Sequence, residues 1–152
     1  MKVDGLGKEQ EFILFGVGSL DFCFHVNHVC EVCGWSPIAP IAGVPSFVLG
    51  SLNLRGKPIP VIHLAKRIGL EGGELTPLSV IIVVQIDERM NGFLVDMVSD
   101  IISIGNEMIR PIGMKYVTQP EMNMFARGLI INEGKEICIL SVEELVLAPH
   151  SN

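Results

Sequence analysis

Residues 23–33, CFHVNHVCEVC, hold three of the four cysteines and two of the four histidines in the chain. Thiolate and imidazole are the ligands of structural zinc, so His25, His28, Cys30 and Cys33 are the candidate metal ligands. The same thiols are candidates for redox chemistry, which needs an exposed thiolate of low pKa. Spacing works against both. Side chains alternate faces along a strand, so Cys30 and Cys33, three apart, should point to opposite faces. Cys23 shares a face with His25 and finds no fourth partner nearby. A Cys-x-x-Cys knuckle helped by Gly34 remains open. A structural zinc site combines two ligand pairs, however, and Cys138, His63 and His150 are scattered elsewhere. Cys23, Cys30 and Cys138 read as small buried hydrophobes, and neither metal nor cofactor is expected.

Other catalytic patterns are weaker still. Asp96 and Asp100 stand four apart but have no histidine, nucleophile motif or metal partner beside them. Gly16-Val-Gly18 has no helical pattern after it, so it is no phosphate loop. With a net charge of −6 and no Lys/Arg cluster, the chain is not expected to bind nucleic acid. It is 49% hydrophobic and 18% charged, against roughly 25% charged in an ordinary soluble domain. Apolar surface in excess of what a core can hold points to partners. No apolar run reaches the roughly 18 residues of a membrane span. The N-terminal MKVDGLGKEQE carries charges where a signal peptide needs its apolar core. The expectation is a cytoplasmic protein with reduced thiols and no direct membrane insertion.

The elements that must position any site are short strands. EFILFGV (11–17), FCFHV (22–26), VCEVCGW (29–35), VLGSLNLRG (48–56), KPIPVIHL (57–64) and LSVIIVVQI (78–86) are β-branched or aliphatic runs separated by turn signals. LSVIIVVQI should be buried on both faces. Pro37, Pro40 and Pro45 make 36–46 a loop. Pro58 and Pro60 should put their strand at an edge or a bulge. Asn91-Gly92 marks a turn into FLVDMV, and Glu133-Gly134 a hairpin. Ser141-Val-Glu-Glu144 fits a capping box and a short helix over 141–147. Such spacing suggests antiparallel barrels, with a boundary near 70–76, LEGGELT.

Residues 50–70, GSLNLRGKPIPVIHLAKRIGL, are more specific. Asn53-Leu54-Arg55-Gly56 and Pro60-Val61-Ile62 resemble the central motif of the CheW family, the adaptors of bacterial chemosensory arrays. Glu11-Phe-Ile-Leu-Phe-Gly, Val29-Cys-Glu31-Val32, Pro45-Ser-Phe-Val, Gly92-Phe-Leu-Val95-Asp96-Met-Val98-Ser-Asp100, Ile109-Arg-Pro111 and Gly128 followed by Glu133-Gly134 resemble further family segments in the family's order. The similarity spans about residues 10–147.

The resemblance implies a mainly all-β fold. Two small five-stranded SH3-like barrels pack together, exchange strands in part, and end in a short helix. It implies no enzymatic activity. It implies coupling of chemoreceptors, the methyl-accepting chemotaxis proteins, to a CheA-type histidine kinase whose regulatory domain shares the fold. The receptor would present its cytoplasmic hairpin tip. Arg55, Glu31, Asn53 and Gly56 become the coupling residues. Val29, Leu54, Val95 and Val98 become candidates for the receptor groove. The alternatives are a metal- or thiol-based sensory module on the same fold, or an adaptor of a non-flagellar, type IV pilus pathway. His63-Leu64-Ala65 departs from the family's Asp-Leu-Arg, although Lys66 and Arg67 follow at once.

Overall fold

The computed structural model describes residues 9–34, 36–71, 76–112 and 120–147. Residues 1–8, Trp35, His150 and most of the expected boundary at 70–76 lie outside them. Eleven strands run in order: β1 Glu9–Val17, β2 Leu20–His25, β3 Val29–Cys33, β4 Val48–Leu54, β5 Lys57–His63, β6 Val80–Ile86, β7 Arg89–Val95, β8 Met97–Gly105, β9 Ile109–Arg110, β10 Ala126–Asn132 and β11 Lys135–Leu140. Among the described residues three short helices accompany them: α1 Leu64–Arg67, α2 Pro120–Phe125 and α3 Val142–Leu145. Single 3₁₀ turns cover Val26–His28 and Asn106–Met108. None of the described helices is long and apolar enough to cross a membrane.

The strands form two sheets. One has the order β8-β1-β2-β11-β10-β9, the other β3-β6-β7-β5-β4. The second has the five strands expected; the first gains a sixth, the two-residue β9. A single 3₁₀ turn carries the chain from β8 to β9, the opposite edges of the first sheet. Those edges therefore lie close together, and the sheet curls into an SH3-like barrel. The 3₁₀ turn at Val26–His28 passes the chain from the first sheet to the second. The expected boundary falls between β5 and β6, which belong to the same sheet.

The barrels share one core. Phe15, Phe22 and Phe24 from the first sheet join Ile62, Ile82, Val84, Phe93 and Val95 from the second in one buried cluster. Ring centroids of Phe15 and Phe24 stand 4.7 Å apart, and those of Phe24 and Phe93 5.4 Å. β6 is buried on both faces: Ile82 and Val84 enter this shared cluster, while Ile81 and Val83 fill the second barrel.

An internal repeat underlies the pairing. Phe47 and Phe125, Gly50 and Gly128, Gly56 and Gly134, and Lys57 and Lys135 each stand 78 residues apart. Both segments are hairpins, β4–β5 and β10–β11, and each runs into a one-turn helix. His63 Nδ1 accepts from the Lys66 amide at 3.2 Å, and Ser141 Oγ from the Glu144 amide at 3.2 Å. The imidazole thus caps α1 where the family motif places aspartate. The repeats meet at Arg67. Its guanidinium carbon lies 4.5 Å from the Phe47 ring centroid and 4.8 Å from that of Phe125. Its Nε and Nη2 donate to the Leu145 and Glu144 carbonyls, both at 3.3 Å.

Several expectations need correction. Asn91-Gly92 is not a turn but mid-strand in β7; the hairpin turns at Asp87, where φ is +54°. Asn91 is buried and accepts the Leu147 amide at 3.2 Å. A Cβ on Gly92 would lie 2.8 Å from Ile81 Cγ2, so the glycine is there for close packing. FLVDMV is no single strand: at Asp96 the chain leaves the second sheet for the first. β5 is not an edge strand. Leu54 and Lys57 close the two-residue turn, so Pro58 and Pro60 fall at non-hydrogen-bonded positions opposite β4. Their other side is free because β7 pairs only from Val61 onward. The α3 capping box forms by half, for the Ser141 amide donates to the Phe125 carbonyl.

Two outcomes follow. Arg67→Ala should lower stability by about 1–2 kcal/mol through loss of both ring faces and two carbonyl contacts. Arg67→Lys should recover less than half of it, since an ammonium is no planar fork; chemical denaturation measures both. The full chain should unfold in one transition. Residues 1–72 alone should show none, because β3 and β5 lose β6 and β7, and β2 loses β11; circular dichroism on that fragment checks it.

Candidate functional site

Asn53-Leu54-Arg55-Gly56 ends β4 in the tightest hairpin available. Arg55 and Gly56 both hold positive φ, +50° and +84°, as a type I′ turn demands. Gly56 takes this conformation freely, whereas a non-glycine residue there is uncommon. The Asn53 side chain accepts the Gly56 amide at 2.7 Å and fixes the turn. Arg55 is therefore not on the strand, as its apolar neighbours suggested, but at the tip itself.

From the tip Arg55 reaches back across the barrel seam. Its Nη2 donates to Glu31 Oε1 at 2.7 Å. β3 and β4 are the two edge strands of the second sheet, so this ion pair joins edges that no backbone ladder joins. The Arg55 side chain is 72% exposed and that of Glu31 31%. An exposed pair contributes little to stability; its geometry is the informative part. The second Glu31 oxygen, Oε2, accepts the Cys33 thiol at 3.4 Å. The Arg55 hydrogen bond first, and the Cys33 thiol second, hold the Glu31 carboxyl below its ordinary pKa. Arg55 is pushed up by the same bond. Burial first, then Glu31, push the Cys33 thiol up.

A bulge shapes this edge. Val29 pairs with Val84 but Glu31 with Val83, so Cys30 is the inserted residue. Cys30 Sγ contacts Gln85 Oε1 at 3.7 Å, and Gln85 shares a face of β6 with Val83, the partner of Glu31. Cys30, Glu31 and Cys33 hence lie on one face. This overturns the opposite-face expectation, because strict alternation fails at a bulge. Even so, among the described residues no three His, Cys, Asp or Glu side chains converge on a metal position. The His25 ring packs tilted against Phe12 with centroids 4.6 Å apart, and its Nδ1 is buried. Burial, with His28 nearby, lowers its pKa. Cys23 and Cys138 are buried as expected, but Cys30, the residue inserted at the bulge, is exposed and corrects that expectation; burial pushes Cys138 up to about 12 and Cys23 higher still. Asp96 accepts the Gly18 amide at 2.8 Å, and Asp100 the Ile101 amide at 2.8 Å. Both carboxylates fix backbone.

The groove candidates divide. Val29 and Val98 are half-buried against the shared core. Leu54 packs against the inner cluster of the second barrel. Val95 is 1% exposed and presents no surface. Val32 was passed over: it pairs with Ile82 as Val29 pairs with Val84, so it lies on Val29's side, and it is 45% exposed. A bulge hides that relation from simple alternation. The link between Cys33 and Glu31 was missed too, although their i, i+2 spacing could have shown it.

The family model for the CheW-like domain matches residues 11–149. The chain is 37% identical over 136 residues to the chemotaxis protein CheW of Rhizobium meliloti, covering 90% of this chain and 86% of that one. It is 29% identical over 139 residues to the chemotaxis protein CheW of Thermotoga maritima, covering 91% and 89%. The crystal structure of the scaffolding protein TtCheW from Thermoanaerobacter tengcongensis superposes with a TM-score of 0.79 at 29% identity, over 89% of this chain and 90% of that one.

Because the folded-state pKa of Glu31 lies below its unfolded value, its stabilising contribution is present above the unfolded value. That contribution disappears as pH falls through the folded value. Wild type and Glu31→Gln should therefore differ slightly in thermal midpoint near neutrality and converge in acid. Melting curves between about pH 7 and about pH 2 check this; a gap that persists in acid would assign the difference to shape instead.

Proposed function

The chain belongs to the CheW-like domain family, and we propose that it is a non-enzymatic adaptor coupling chemoreceptors to a CheA-type histidine kinase in a cytoplasmic signalling array. The relatives it matches nearly end to end are called chemotaxis proteins, and the similar solved structure a scaffolding protein. One partner would be the kinase regulatory domain, which by resemblance shares this fold. The other would be the receptor's helical hairpin tip. A helix laid in an apolar groove is a common recognition mode, and the half-buried Val29 and Val98 with the exposed Val32 offer apolar side chains for it.

The observation that carries the reading is Arg55. A long cation sits at a left-handed position, at the tip of a turn that needs no cation to form. It is 72% exposed yet held at 2.7 Å by a carboxylate from the opposite edge strand. A pair of this kind adds little to stability, so a role in the fold does not account for it. Asn53 and Gly56 would set the turn, Arg55 and Glu31 would present the charge, and a planar guanidinium would dock on carboxylate or carbonyl groups bidentately.

The test is kinase activity in reconstituted receptor–adaptor–kinase assemblies, read beside the melting curve of each free variant. Arg55→Ala should abolish receptor control of the kinase while the thermal midpoint falls by a few degrees at most. Arg55→Lys should restore control only in part, because charge without the fork is insufficient. Normal control in Arg55→Ala assemblies would remove the assignment. An unfolded variant would make Arg55 a structural residue.

A further inference from the structure

Glu31 is held from two sides, and only one of them is the arginine. Its Oε1 receives Arg55 Nη2 at 2.7 Å and its Oε2 faces Cys33 Sγ at 3.4 Å. Glu31 and Cys33 are two apart on β3 beyond the bulge at Cys30, which puts both on the face that pairs with Val83 and Ile81. The sulfur has a fixed seat. Cys33 packs against the inner cluster of the second barrel, which includes Leu52, Ile59, Val61, Ile81, Val83 and Leu94. Glutamate has three rotatable bonds and this side chain is 31% exposed; a carboxylate tethered at one oxygen alone would swing.

We infer that Cys33 is a positioning residue for the Glu31–Arg55 pair: its thiol holds one carboxylate oxygen so that the other faces the guanidinium. Glu31 and Arg55 form the contact; Cys33 acts through Glu31. The upward push on the thiol by burial and by Glu31 keeps the sulfur protonated, so it serves as a donor and not as a nucleophile. Cys30 is the internal control. It lies three residues away, is exposed, and contacts Gln85 instead of the pair. The functional weight of the inference rests on the coupling role proposed for the pair, whereas the geometric part does not.

Carbon-detected NMR titration of the Glu31 carboxyl and the ¹⁵N signals of the Arg55 guanidinium, in the full chain, test the geometry. Cys33→Ala should move the Glu31 titration upward toward that of an ordinary glutamate and average the Arg55 signals. Cys33→Ser, which keeps a donor, should return most of both. Cys30→Ala should leave them where they were. An unmoved Glu31 titration in Cys33→Ala, or no rescue by serine in a variant that melts like wild type, would overturn the inference. The same variants in receptor–adaptor–kinase assemblies test the consequence: Cys33→Ala should weaken receptor control severalfold and Cys33→Ser less. If the titration moves as expected but Cys33→Ala and Arg55→Ala both leave control intact, positioning stands and the coupling role of the pair falls.

Discussion

The guanidinium of Arg67 lies between two phenyl rings contributed by two copies of one motif. Phe47 and Phe125 occupy the same place in F-x-x-G-x5-G-K segments 78 residues apart, and both stack on this one cation. Burial lowers its pKa, yet the rings and the carbonyls of Glu144 and Leu145 replace the lost water. Through those carbonyls the end of the second repeat is tied to the helix that ends the first. Arg89 and Asn91 extend the tie by bonding the Leu147 backbone. The two repeats are consequently tied to each other, and the shared aromatic core from Phe15 through Phe24 to Phe93 has a fixed register to pack in.

That fixed register is what holds the short turn after β4 in place. β5 is paired on both sides at Val61 and Ile62 and on one side before them. β4 is bulged at Leu49 and closed by the Ala39–Ser51 bridge. A side chain at Gly50 would run into the Ala39 carbonyl, so the loop lies flat along the edge strand. Rigid strands up to Leu54 and a type I′ turn locked by Asn53 leave Arg55 with few places to go. The bulge at Cys30 turns Glu31 toward it. Precision at the tip comes from backbone constraints, not from the strength of the ion pair.

Much of this was legible in the sequence, for identifiable reasons. Strand positions followed from β-branched runs and turn residues. The burial of β6 on both faces followed from its unbroken apolar string, and the Glu133-Gly134 hairpin from its glycine. Three things were hidden. Asn91-Gly92 carries the strongest short hairpin signal, yet tertiary packing uses its small glycine against Ile81 and its amide to hold Leu147. Bulges at Cys30 and Leu49 shift the side-chain alternation by one, and no local residue type announces them. The prolines of β5 sit safely in an inner strand because β7, although as long as β5, pairs with it only from Val61 onward, a register that neither Pro58 nor Pro60 announces. The repeat was readable, since its spacing is invariant from Phe47 to Lys57, but two strand–turn–strand segments with different apolar residues do not look alike until the turns are aligned.

The repeat also separates what the fold requires from what it leaves open. Gly56 and Gly134 have φ of +84° and +80°, and the residues before them, Arg55 and Glu133, have φ of +50° and +52°. The turn geometry is the same, so the glycine is demanded in both hairpins. The charge at the preceding position is not: one copy bears a cation and the other an anion, in backbones that are superimposable in kind. The fold therefore imposes no sign at this tip. Only the first copy carries an asparagine acceptor two residues earlier bonded to its glycine, and a carboxylate from the opposite edge strand bonded to its tip. The backbone thus leaves the residue type at this tip free, while Asn53 fixes the turn beneath it and a carboxylate from the opposite edge strand holds the side chain that occupies it.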